Sequence, residues 1–252
     1  MTDSRFETID YRCAGGICSI LLDRPESLNA MNATLVAEVT QAFADANADS
    51  DIRAIIFAGN GRAFCAGDDR IEHQHPESEA EARKFVESIQ QATREIVFGA
   101  KPVIGAIHGW AVGGGFEWAL NCDFTVWGES SQAFFPEVSL NLCVTGAATA
   151  ILPAMVGISK AREMLFLGDR YTATELYELG VATRVVSDGQ MMTEATILAN
   201  RMAELPTGSV QAMKRNLNLV GLASIEAALQ AETEVCITRF MDPETTRLLK
   251  QF

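Results

Sequence analysis

The chain lacks the features that would mark it for several large classes of protein. It has only 3 histidines, and none of its 6 cysteines form a Cys-x-x-Cys pair. Neither a thiolate zinc site nor a redox dithiol therefore has its usual spacing. Cys13, Cys18, Cys65, Cys122, Cys143 and Cys236 lie mostly in apolar runs and read as reduced, buried small hydrophobes. Basic residues number 20 against 33 acidic ones, a net charge of −13. That field disfavours nucleic acid and anionic membranes as partners. No apolar run approaches membrane-spanning length and the first residues carry no signal core, so a cytoplasmic location is the expectation. There is no Gly-x-Ser-x-Gly for serine hydrolysis, no repeat period and no low-complexity tract.

What is present is an ordinary globular composition, 48% hydrophobic and 21% charged over 252 residues. Such a chain buries a core without disulfide or metal staples. Apolar runs at Cys18–Leu22, Arg53–Ala58, Pro102–Ile107 and Phe124–Trp127 read as strands. Asn32 caps a helix whose apolar positions run from Leu35 to Ala46. A polar loop from Ile71 to Glu81 leads into a helix through Phe85, Ile89 and Ile96. The last third is helical, with one helix opening at Pro206 and running to about Leu222 and another capped by Ser224. Alternating short strands and helices point to an α/β class.

Gly113-Gly114-Gly115 separates a buried strand from an amphipathic helix. Glycines without a Cβ let a ligand touch the main chain, and a helix start leaves N–H groups unpaired, so this is a seat for a developing oxyanion. The plainer alternative is a turn used for close packing. A dinucleotide fingerprint fits poorly, because Trp118 stands where the third glycine belongs. A second turn, Gly61 to Asp69, can supply another backbone donor. Glu117 falls in the first turn of the helix after the glycines, where a carboxylate also suits the helix dipole. Glu137 follows Phe134-Phe135-Pro136, surroundings that would raise its pKa. Two carboxylates at one centre divide acid and base duties. His73-x-His75 has no spaced third ligand and reads as a solvated loop, with no metal expected.

Taken together, these motifs resemble the enoyl-CoA hydratase/isomerase (crotonase) family over nearly the whole length. The matching segments are Leu22-Asp23-Arg24-Pro25 through Leu28-Asn29-Ala30-Met31, Gly61 through Asp69, Lys101-Pro102 through Glu117, and Ala133 through Glu137. Gly157 to Ala161, Leu167 to Arg170 and Ala173 to Ala182 also fit. The resemblance implies a spiral of ββα units over residues 1–195 and a C-terminal helical trimerisation region over 196–252. It also implies assembly as a homotrimer or dimer of trimers. The backbone N–H groups of Asp68 and Gly114 become the oxyanion donors to an acyl-CoA thioester, and Glu117 and Glu137 the catalytic pair. Arg24, Leu28, Ala30, Arg62, Ala66 and Thr145 become contacts to the substrate, with Lys214 a further possible cation. No separate cofactor is implied, since coenzyme A belongs to the substrate.

Glu117 and Glu137 together favour hydration of a 2-enoyl-CoA; isomerisation, a carnitinyl-CoA-type dehydration, and a non-catalytic scaffold or RNA-binding relative are the alternatives. Three departures stand out. Val144-Thr145-Gly146-Ala147-Ala148-Thr149 replaces the Pro-Gly-x-Gly-Gly-Thr turn of the family's hydratases, which leaves the Thr145 N–H as a donor toward the attacking water. Glu26 stands where many relatives carry lysine, and Lys250-Gln251-Phe252 stops short of the family's basic tail, so loosened coenzyme A affinity is expected.

Overall fold

A computed structural model of the chain describes residues 5–252. Strands β1 (Ile9–Ala14) and β2 (Ile17–Leu22) form a tight antiparallel hairpin, followed by helix α1 (Ala33–Ala48) and strand β3 (Ala54–Gly59). The Asn32 side chain accepts the Leu35 N–H at 2.9 Å, as its position before the apolar stripe predicts. Helix α2 (Glu79–Val97), capped by Ser78, leads to β4 (Val103–Ile107), β5 (Trp110–Val112) and α3 (Gly114–Asn121). Then come β6 (Phe124–Gly128), β7 (Gln132–Phe134), α4 (Ala148–Val156), α5 (Ile158–Leu167), β8 (Tyr171–Thr172), α6 (Ala173–Glu178) and β9 (Arg184–Val186). Helices α7 (Met191–Glu204), α8 (Thr207–Asn216), α9 (Ile225–Phe240) and α10 (Pro243–Gln251) complete the chain.

The strands form two sheets, ordered β1-β2-β3-β4-β6-β9 and β5-β7-β8. After β2, β3, β4 and β6 the chain crosses to the small sheet, or to a single bridge that extends it, before its next long helix, which makes the spiral of ββα units. Alternate residues of the large sheet face opposite ways, as strand period 2 requires. Ile55, Phe57, Val103 and Ile107 join the main core with α1 and α3, while Ile56, Ala58, Ile104 and Ala106 pack on Ala195, Leu198 and Ala199 of α7. Since α7 spans position 195, the spiral and the C-terminal region share a helix. Helix α9 lies on α2 and α4, so the C-terminal helices cover the spiral.

The small sheet is extended by single parallel bridges, Met31 with Asp68 and Cys65 with Ala111. The Ala66 N–H donates to Leu28 O at 3.1 Å, the Cys65 N–H to Trp110 O at 3.1 Å and the Gly113 N–H to Phe134 O at 3.0 Å. Turns from four successive rungs, near residues 28–31, 65–68, 110–114 and 132–137, are thereby stacked side by side. A Cβ on Gly115 would sit 2.4 Å from Cys65 O, so two of these turns touch through a glycine.

Three expectations need correction. Cys13 is exposed and joined to Cys18 in a disulfide, because the hairpin register sets the two opposite each other. The helix from Pro206 does not run evenly to Leu222: α8 widens after Asn216 into a π turn over Leu217–Gly221. Ser224 precedes α9, but its side chain makes no cap bond.

Gly115→Ala should destabilise the fold by about 1–3 kcal/mol, the usual cost of overpacking a filled contact. Urea denaturation checks this; an unchanged midpoint would mean that the two turns separate freely.

Candidate active site

Gly113 to Gly115 open α3 against the turn that carries Gly67 and Asp68. Among the described residues neither the Asp68 N–H nor the Gly114 N–H has an acceptor, although the N–H groups beside them do: Gly113 donates to Phe134 O and Asp69 to Met31 O. Both turns line one cavity with Glu137, Cys143 and Thr145, walled by Ile89, Leu142 and Phe240. Two unspent N–H groups in an apolar cavity form a site for negative charge on an oxygen. The glycine at 114 leaves room for Met31, whose Sδ would lie 2.8 Å from an added Cβ, so a side chain there would push Met31 rather than the ligand directly.

Glu137 begins a single 3-10 turn after Pro136, is 9% exposed, and has an Oε2 with no hydrogen-bond partner. Burial pushes its carboxyl up to about 8, with the Cys143 thiol and the Asp68 carboxylate adding to the rise. Glu117 is 1% exposed and lies behind the cavity wall rather than on it. Its Oε1 accepts the Thr145 N–H at 2.8 Å and its Oε2 the Thr145 hydroxyl at 3.0 Å. Burial raises its pKa most, followed by the nearby charges of Glu137 and Glu232, while both Thr145 bonds lower it. The pair therefore holds a proton at neutral pH. The two Thr145 donors favour charge on Glu117 and Oε2 of Glu137 has none, yet burial and the neighbouring carboxylates raise Glu117 as well, so the proton belongs to the pair.

The other sequence-predicted residues divide. Leu28, Ala30 and Ala66 line a groove that continues the cavity outward past Asp68. Thr145 is at the site, but its N–H is spent on Glu117 instead of facing a water. Arg24 is not free for a ligand: it bonds Ala30 O, Asp69 and Glu72, and its side chain is 12% exposed. Arg62 lies in a different hollow with His108 and Asp188. Lys214 is buried and bonds Ile96 O, Lys101 O and Asp123, an internal tie between helix and sheet. The cations at the groove are instead Arg170, stacked on Trp110 and Phe134, and Arg70, over Phe252. Sequence spacing had no means of finding them, because their aromatic partners come from other rungs of the spiral.

His73 is not a solvated loop residue; it stacks on Phe240 and its Nδ1 lies 3.4 Å from Asp68 Oδ2. Glu232, deep in α9, escaped sequence reading altogether, since one polar residue on a helical stripe gives no signal. It is 2% exposed and accepts the N–H groups of Ala147 and Thr149.

The model of the family described as enoyl-CoA hydratase/isomerase matches residues 12–247. The chain belongs to that family. It is 31% identical over 230 residues to a crotonyl-CoA hydratase of Syntrophomonas wolfei, covering 91% of this chain and 88% of that one. It is 29% identical over 221 residues to a short-chain-enoyl-CoA hydratase of Clostridium acetobutylicum, covering 87% and 84% of the two chains. A solved enoyl-CoA hydratase/isomerase from Mycobacterium paratuberculosis superimposes with a TM-score of 0.92 at 26% identity, over 98% of this chain and 100% of that one. These likenesses give the α/β architecture its family name, the crotonase fold. Among the described residues no helix is long and apolar enough to cross a membrane.

The buried pair of glutamates should cost this chain stability. With a folded value near 8 against 4.5 when free, Glu137 binds its proton more tightly in the folded state. Stability from that proton is full below pH 4.5 and is lost as pH rises toward 8. Glu137→Gln should raise the melting temperature over wild type more at pH 8 than at pH 5; an equal gain at both would contradict the raised value.

Proposed function

We propose that the chain is an enoyl-CoA hydratase acting on a 2-enoyl-CoA. The observation that carries this reading is a pair of buried carboxylates, Glu117 and Glu137, set beside the unspent N–H groups of Asp68 and Gly114. The thioester oxygen accepts both N–H bonds. Ionised Glu117 takes a proton from water as the water oxygen attacks Cβ, and the π electrons move onto the thioester oxygen as an enolate. Protonated Glu137 then returns a proton to Cα, the enolate collapses, and one molecule of water has been added. Removal of one oxyanion donor of this kind costs about 10²–10³ in turnover. Leu28, Ala30 and Ala66 receive the pantetheine arm, and Arg70 and Arg170 supply the local positive charge that a chain of net charge −13 needs for phosphate. No separate cofactor enters the reaction, and the protein acts in the cytoplasm.

Isomerisation of a 3-enoyl-CoA is a second reading, favoured by one observation: Glu137 lines the cavity and Glu117 does not. The two readings diverge on mutation. In a hydratase Glu117→Gln and Glu137→Gln should each lower turnover of crotonyl-CoA by at least about a hundredfold. The double variant should lose much less than the product of the two, because both act in one step. Loss confined to Glu137→Gln, with 3-enoyl-CoA still turned over by Glu117→Gln, would make the enzyme an isomerase. No loss in either would remove the chemistry from this site.

The assembly is proposed to be a homotrimer or a dimer of trimers. Met213, Leu217, Leu219 and Val220 on α8 and its π turn are 61–78% exposed, an apolar surface that a partner copy would cover. Light scattering at micromolar concentration should give three or six chains; a monomer overturns it.

A further inference from the structure

The segment from Thr145 to Thr149 touches three different side chains in alternation. The Thr145 N–H and hydroxyl hold Glu117. Gly146 O accepts Asn121 Nδ2 at 3.2 Å, and the same amide bonds Glu117 O. Beyond it, the Ala147 N–H donates to Glu232 Oε2 at 2.8 Å, while the Thr149 N–H and hydroxyl donate to Oε1 at 3.0 and 2.5 Å. Ala147 is held in the left-handed region at φ 62°, which an alanine adopts only where its surroundings enforce it. Gly146 fits so tightly that an added Cβ would lie 2.9 Å from Glu117 Cβ. The segment is thus pressed onto Glu117 on one side and clamped by Glu232 on the other.

We propose that Glu232 is a positioning residue of the reaction, fixing the 145–149 segment that holds Glu117 and presenting a negative charge behind it. The proposal rests on the reading of Glu117 as general base. As a helix cap alone, Glu232 would be an odd choice: it comes from α9, far along the chain, and an ionised carboxylate is costly to bury. Burial raises its carboxyl to about 6, and its three donors favour the charged form and keep it from rising further. Its charge raises the basicity of Glu117, from which a base that must deprotonate water benefits. The other titratable groups facing this cluster are Glu137 from the turn after β7, Cys143 from the following loop and Cys236 from α9.

Infrared titration of the substrate-free protein tests this, with the Glu117 carboxyl band assigned by its loss in Glu117→Gln. In Glu232→Gln the Glu117 midpoint should fall by at least about half a pH unit. On crotonyl-CoA, kcat should fall at least about tenfold with KM little changed, as expected when a catalytic group is displaced. The acid limb of the pH–rate profile should move down with the midpoint, since a weaker base ionises earlier. An unchanged infrared midpoint overturns the proposal, whatever happens to the melting temperature. If Glu232→Gln does not fold, Glu232→Asp decides: kcat lowered at near wild-type KM supports positioning, and wild-type kcat overturns it. Absence of crotonyl-CoA turnover in wild type would instead defeat the hydratase reading, and the infrared midpoint would still judge the role of Glu232.

Discussion

The close approach of two backbone turns governs this molecule. Cys65 O would lie only 2.4 Å from a Cβ on Gly115, and the parallel bridge between Cys65 and Ala111 locks that contact into the small sheet. Everything at the site follows from it. Two N–H groups from different rungs of the spiral reach one cavity with no acceptor among the described residues. The hydrogen-bonded N–H groups of Gly113 and Asp69 beside them keep them there, so the cost of leaving them unpaired is met by folding rather than by a ligand.

The carboxylates raise the opposite problem. An N–H pair that awaits negative charge is cheap beside two glutamates buried in an apolar wall, and a third, Glu232, lies close behind. The chain handles the three differently. Glu232 keeps its charge through three donors, Glu117 is offered charge through Thr145, and Glu137 is given no donor on Oε2. Burial raises all three, and identical side chains then differ through the donors each is given and the charges each faces. An environment that separates like groups in this way fits them for distinct acid and base duties.

Much of this was legible in the sequence because it is local. The glycine run, the buried strands on either side and the Asn32 cap each declare themselves within a few residues, and the 20-residue interval between Glu117 and Glu137 does so with them. What stayed hidden depends on residues distant in sequence. Arg24 and Lys214 read as free cations, yet their partners Asp69 and Asp123 reach them only once the spiral closes. Arg70 and Arg170 are unremarkable until the aromatic rings from other segments lie beneath them. His73 looked like part of a polar loop because nothing nearby announces Phe240 as its stacking partner. The Cys13–Cys18 disulfide follows from a hairpin register that the apolar pattern alone leaves open.

Thr145 likewise takes its role from a residue distant in sequence. Read from sequence, its N–H was available to position water, as the turn it replaces does in the family's hydratases. In the folded chain that N–H and the hydroxyl both point at Glu117, so the same donor serves the proposed base instead of a nucleophile. A water oriented by Glu117 needs no separate backbone donor, provided the carboxylate itself cannot rotate. Two bonds from one residue remove that rotation, since each oxygen of the carboxylate is held by a different atom of Thr145. The departure from the family's turn is therefore compatible with the proposed hydration on geometric grounds: order lost in a nucleophile's contacts is recovered in the carboxylate proposed to deprotonate it.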